Sequence, residues 1–238
     1  MAPAKIVQTP GGFPFFQVDV TSAKANPPDV APLVPAPPQA ARRGGGAPAA
    51  GPAPLTVTAE KLGDGLYRLS TGPGSYDSVI VEFRDHVMML EAGQGTQPDV
   101  QNRALAFIAE TKKLMPGKPI RYVVNTHPHS DHTGGLPTLV AGGATIITHK
   151  NNQEFFERGL NTPRTLLTDT LAKNPKKAKV EAVNEKKVYS DGTRPVEFYH
   201  VPGPPHSNGL IIAYIPKEKV LFQGDFSLPA AGQPANDH

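Results

Sequence analysis

His127-Pro128-His129-Ser130-Asp131-His132 places three of the chain's eight histidines and one carboxylate in six consecutive residues. The run follows the apolar stretch Ile120–Asn125, which reads as a buried strand, and precedes Gly134-Gly135. In extended backbone, side chains i and i+2 point the same way, so His127 and His129 can share one metal ion. Asp131 and His132 are neighbours that must diverge, and a turning loop lets them face a second ion. Imidazole and carboxylate donors without thiolate suit zinc, and iron or manganese also fit. A polar loop whose histidines cap local backbone is the ordinary reading for a single histidine. Four ligand-type residues in six weigh against it.

Outward from this run, the pattern alternates between strands and helices. Before it, the strand candidates are Leu55–Thr58, Leu66–Ser70, Ser78–Phe83 and Val87–Glu91, separated by Gly or Asp turns. Asp99–Met115 reads as a helix with an apolar stripe of Val100, Leu105, Ile108 and Leu114, ended by Pro116-Gly117. After the run come a short helix at Gly134–Ala141, a strand at Thr145–Thr148 and a helix at Asn151–Gly159. A Lys-rich solvated stretch fills residues 160–180, and strands return at Lys187–Tyr189, Pro195–Val201, Leu210–Ile215 and Val220–Phe222. Strand runs flanking helical blocks predict an α/β sandwich. Residues 27–54 differ in kind, because they hold nine of the 27 prolines and read as a semi-extended linker. Ahead of them, residues 1–26 suggest a small β-like segment with strands at Lys5–Thr9 and Phe13–Val20. Phe13, Phe15 and Phe16 there have no obvious core of their own. The expected organisation is thus 1–26, 27–54 and a metal-binding domain at 55–238.

Composition narrows the class. The chain has 24 Lys+Arg against 21 Asp+Glu and a net charge of +3, too mild for a nucleic-acid partner. With no cysteine, disulfides, thiolate nucleophiles and Cys-based metal sites are excluded. Apolar runs such as Leu210–Ile215 and Val87–Leu90 are far short of the roughly 18 residues of a membrane span. Met1 leads into Ala2-Pro3-Ala4-Lys5 with no apolar signal core. The Pro/Ala-rich stretch gives an exported, periplasmic location a slight preference over the cytoplasm. No G-x-S-x-G elbow is present, which argues against a serine hydrolase.

The H-x-H-x-D-H run after a buried strand resembles the signature of the metallo-β-lactamase superfamily. Ser78–Glu91 followed by Ala92-Gly93 resembles that family's early strand pair, which ends in an acidic residue and a glycine. Pro202–Gly209 resembles the loop that delivers the third metal histidine, here His206, and Leu221–Asp225 resembles the strand whose terminal aspartate bridges two metals. The resemblance covers residues 55 to about 228 and implies a four-layer αββα sandwich. It also implies one metal at His127, His129 and His206 and a second at Asp131, His132 and Asp225. Glu91 stands where the family usually has aspartate and is expected to orient the loop or a ligand. His200 is the rival third ligand, but it lies within a strand, whereas His206 lies in a Gly/Pro loop. His149 and His86 read as structural, with a supporting contact to a metal ligand as the alternative for His149.

The implied activity is zinc-dependent hydrolysis of an ester, thioester, lactone or lactam, closer to glyoxalase II or a lactonase than to a β-lactamase. Paired cations lower the pKa of a water to near ~7, and Asp131 is expected to handle its proton. Two alternatives share the ligands: an iron-dependent oxygenase of sulfur compounds, and a shortened chain with one metal and little activity. The family usually supplies a further histidine beyond the bridging aspartate, and here only His238 follows Asp225. The second site is therefore expected to be impaired and the C-terminal part missing. The substrate is expected to be a small molecule. The linker reading predicts that protease trimming to about Leu55 leaves the 55–238 domain with its thermal transition intact. Loss of solubility on trimming would instead mean that Phe13–Val20 packs on that domain.

Overall fold

The computed structural model describes residues 5–8, 16–19, 21, 55–72, 76–93, 100–165, 168–203 and 206–225. The chain divides into two units, Met1–Ala53 and Pro54–His238. In the first, β1 (Lys5–Gln8) pairs antiparallel with β2 (Phe16–Asp19), Lys5 facing Asp19 and Gln8 facing Phe16. The expected linker at 27–54, together with Phe13 and Phe15, lies outside the described residues.

The second unit begins with an antiparallel meander, β3 (Thr58–Gly63), β4 (Leu66–Ser70), β5 (Ser78–Glu82) and β6 (Val87–Leu90). From β6 onward the pairing turns parallel. Parallel neighbours need long crossovers, which helices supply. α1 (Val100–Leu114) leads to β7 (Ile120–Val124), and α2 (Ser130–Thr133) with α3 (Leu136–Gly142) leads to β8 (Thr145–His149). α4 (Lys150–Asn161) and α5 (Thr170–Lys173) then lead to β9 (Val180–Val183). These seven strands lie in sequential order β3 to β9. A separate antiparallel sheet holds β10 (Lys186–Ser190), β11 (Pro195–His200), β12 (Ile211–Ile215) and β13 (Val220–Phe222), also in sequential order.

Hydrophobic patterning explains the layers. β6, Val-Met-Met-Leu, is buried at every position because both of its faces are covered. On one face Leu69, Ile80, Met89, Val123 and Ile146 pack beneath Phe107 of α1, Leu139 of α3, Phe156 of α4 and Leu171 of α5. On the other face Leu66, Val81, Met88, Leu90 and Val124 meet Phe198, Ile211, Ala213 and Ile215 of the four-stranded sheet. β12 alternates buried and half-buried residues, as expected of a strand with one covered face. The fold is the expected α/β sandwich, with helices, the large sheet and the small sheet formed by the described residues. The outer face of the small sheet carries Val188 and Leu221, 51% and 45% exposed.

Several boundaries differ from the sequence reading. The first strand of this unit is Thr58–Gly63, not Leu55–Thr58, because the hairpin turn at Asp64-Gly65 (Gly65 φ +65°) sets its register against β4. Its exposed Glu60 and Lys61 mask the alternation. α5 falls inside the Lys-rich stretch 160–180, read as a solvated helix end or loop, and β9 begins at its last residue. Asp169 caps α5 by accepting the Ala172 N–H at 2.8 Å. A buried cation was also missed. Arg194, 5% exposed, donates to the Gly65 and Glu82 carbonyls at 3.3 Å, to the Asp64 carbonyl, and to Glu218 at 2.8 Å. It thereby ties the turns of both sheets together. Arg194→Ala would leave Glu218 buried without its cation and should cost about 3–5 kcal/mol. That loss should appear as a lower urea midpoint with an unchanged slope.

Candidate metal centre

The centre begins where β6 ends. Glu91 is fully buried and sits in the left-handed region (φ +64°), a conformation costing an ordinary residue roughly 1–2 kcal/mol. The bend turns its carboxylate toward the segment leaving β7. There Oε1 accepts the Thr126 N–H at 2.9 Å and the Thr126 hydroxyl, and lies 3.6 Å from His132 Nδ1. Because the Thr126 hydroxyl proton goes to Glu91, its oxygen is left to accept from His127 Nδ1, 3.1 Å away. That assignment puts the His127 lone pair on Nε2, on the side of the other histidines. Asn125, also fully buried, donates from Nδ2 to the His132 carbonyl at 3.1 Å and pins the turn that follows.

His129 is in extended backbone (φ −66°, ψ 151°) and His127 lies in the bend before it; the i, i+2 pair converges, with ring centroids 4.6 Å apart. The expected loop carrying Asp131 and His132 is instead a helical turn, α2. Adjacent residues there diverge by about 100°, so both still reach one group of donors. His206 closes the first group, its Nε2 3.0 Å from His127 Nε2 and its ring 4.4 Å from that of His129. Asp225 spans both groups, with Oδ2 at 3.4 Å from His206 and Oδ1 at 3.1 Å from His132 Nε2. It comes this close because residue 224 is glycine. A Cβ there would lie 2.4 Å from Thr126 Oγ1 and 3.2 Å from His127 Nδ1.

Two donor sets result, His127, His129, His206 and Asp225, and Asp131, His132 and Asp225, each with its ligand atoms within 4.8 Å of one another. Tetrahedral ligands at zinc distances lie about 3.3 Å apart, so the first set is near the size of a zinc shell. Its chemistry fits as well. Burial, reinforced by the imidazoles of His132, His129 and His206, pushes the His127 pKa down to about 3, leaving a neutral ring with an available lone pair. Burial opposes charge on His132, but Glu91, Asp225 and Asp131 outweigh it and hold its pKa above the usual value. Burial likewise opposes the Asp131 charge, yet His132, its own backbone and Tyr76 keep that carboxylate below its ordinary value.

Tyr76 is a site residue that sequence reasoning missed. Its hydroxyl donates to Asp131 Oδ2 at 3.2 Å across 55 positions of chain, and no local pattern announces it. Tyr76, Arg68, His132, Phe222 and Asp225 line a cavity of about 530 Å³. His200 stays outside both donor sets. It stacks on His149 at 3.9 Å and directs Nε2 toward the Asn208 carbonyl at 3.2 Å. His86 stacks on Phe83 at 4.9 Å. His238 lies outside the described residues. Among the described residues no helix is long and apolar enough to cross a membrane.

Residues 71–237 match the family model described as the metallo-beta-lactamase superfamily. The 2,4-dinitroanisole O-demethylase subunit alpha of Nocardioides sp. (strain JS1661) is 24% identical over 110 residues, 46% of this chain and 30% of the relative. The chain therefore matches under a third of that relative's length. Among solved structures, a metallo-beta-lactamase from Pontibacter korlensis is similar with a TM-score of 0.52 at 19% identity, over 72% of each chain. Rubredoxin oxygen:oxidoreductase from Desulfovibrio gigas gives 0.53 at 22% identity, over 71% of this chain and 41% of the other. Such identities carry the fold and no more. His206→Ala should lower metal content at limiting zinc, whereas His200→Ala should leave stoichiometry at saturating zinc unchanged. Elemental analysis of dialysed protein checks both.

Proposed function

We propose that this chain, which belongs to the metallo-β-lactamase superfamily, is a metal-dependent hydrolase of small ester, thioester, lactone or lactam substrates. The observation that carries this reading is the pair of donor sets sharing Asp225, the second containing Asp131, with a cavity opening onto His132 and Asp225. His127, His129 and His206 would hold one ion, and Asp131, His132 and Asp225 a second. Nitrogen and oxygen donors without thiolate favour zinc, with iron and manganese as competitors.

Bound metal supplies a water acidified to a pKa near ~7 and a Lewis acid for the substrate oxygen. The chain's own residues do the rest. Asp131 takes the attacking water's proton on its carboxylate and returns it to the leaving group. Tyr76, donating to Asp131 Oδ2, fixes the rotation of that carboxylate. Glu91 and Thr126 hold the His127 ring in the tautomer that presents Nε2. The cavity wall from Leu62, Val79 and Phe222 excludes water from one side of the bound substrate.

A second reading is redox chemistry at iron, either oxygenation of a sulfur compound or a reaction like that of the oxidoreductase sharing the fold. The relative named as an O-demethylase adds an aryl methyl ether to the substrates worth assaying. Protein loaded separately with zinc, manganese and iron, and offered an ester, a thioester, a lactone, a lactam and 2,4-dinitroanisole, separates these readings. Turnover only with iron and only with oxygen consumption would overturn the hydrolase. On the active substrate, Asp131→Asn should lower kcat by about 100-fold or more with the thermal transition unmoved. A loss of only a few-fold would remove Asp131 from proton transfer.

A further inference from the structure

We propose that Asn152, in the first turn of α4, is a positioning residue that sets the place of His206. The inference rests on reading His206 as a metal ligand. His206 does not fix itself by burial, because its side chain is 32% exposed. What is fixed is the backbone just after it. Asn152 is 4% exposed, and its Nδ2 donates to the Gly209 carbonyl at 2.8 Å and to Thr148 Oγ1 at 3.0 Å, engaging both amide protons. Asn151 Nδ2 donates to the neighbouring Asn208 carbonyl at 3.1 Å, and His200 Nε2 lies 3.2 Å from the same oxygen. Two consecutive carbonyls following His206 and Ser207 are thus directed at one turn of helix.

The contact is one of shape as well as hydrogen bonding. A Cβ on residue 209 would lie 2.1 Å from Asn152 Oδ1, so only glycine lets the loop backbone lie against the amide. Beyond Gly209 the chain is tied to the other side of the centre, Ile211 N–H donating to the Thr126 carbonyl at 2.9 Å. The chain just after His206 is therefore held at two points, by Asn152 at Gly209 and by Thr126, which also contacts His127, at Ile211. A buried asparagine in a helix could satisfy its own backbone. This one instead reaches 57 residues along the chain.

Apo protein titrated with cobalt(II), followed by its visible spectrum, and then with zinc in competition with a chromophoric chelator, tests the idea. Asn152→Asp keeps the volume but loses the donor facing Gly209, and Asn152→Leu removes both bonds. Each should weaken zinc binding about 10- to 100-fold and alter the cobalt spectrum toward that of His206→Ala. The double variant Asn152→Leu/His206→Ala should lose little more than His206→Ala alone. If His206→Ala binds zinc as tightly as the parent, the ligand reading fails. If His206→Ala weakens binding while both Asn152 variants keep parental affinity and spectrum, the positioning role fails, even with a lowered apo melting temperature. Should the Asn152 variants not fold by circular dichroism, Gly209→Ala applies the same displacement from the loop side. Parental affinity in that variant would overturn the proposal.

Discussion

A carboxylate that water does not reach organises this molecule. Glu91 is fully buried, and its Oε2 has no hydrogen-bond partner among the described residues. Burying such an anion is costly unless hydrogen bonds and positive charge offset it. Thr126 supplies two donors, and charge-assisted bonds of this kind contribute about 1.5–3 kcal/mol each. The bonded Oε1 also lies 3.6 Å from His132 Nδ1. With Asp131 and Asp225 close by, three carboxylates surround the histidine cluster, an environment that attracts a cation. The same bond that stabilises the buried anion also fixes the start of the histidine run, so the geometry of the donors and their electrostatics have one origin.

The sheet arrangement places that origin. Glu91 follows β6, Asn125 to His127 follow β7, and His149 ends β8, all at the carboxyl ends of parallel strands. Side chains converge at such ends because the strands stop together while their crossovers diverge. The smaller sheet adds His206 from the β11–β12 connection and Asp225 just after β13. Neither sheet alone assembles a donor set, and the packing of Leu90 and Val124 against Ile211 and Ala213 brings the two contributions into register.

What could be read from the chain follows from range. The spacing of His127, His129, Asp131 and His132 is local and was legible, whereas His206 and Asp225 were expected from the family resemblance of their loop and strand. His206 was separable from His200 because a strand residue has a fixed direction, whereas a Gly/Pro loop residue does not. Tyr76, Asn152 and Arg194 act across 55, 57 and 24 to 130 positions, and nothing in their own neighbourhoods signals the partner. α2 escaped because four residues are too few to show a period. β3 escaped because it lies at the edge of its sheet, where charged side chains face solvent and blur the alternation.

Asp225 belongs to both donor sets, and the chain has no cysteine with which to make a covalent cross-link. An ion shared by His127 and Asp225 would close a loop of nearly a hundred residues and fasten one sheet to the other. Ions bound only by the folded state stabilise it by mass action, about 2.7 kcal/mol at a free concentration a hundredfold above the dissociation constant. Metal scarcity would then act on abundance before it acted on catalysis. Unfilled molecules would open more often, meet proteases while open, and be cleared, so the cellular amount of the protein would track metal supply.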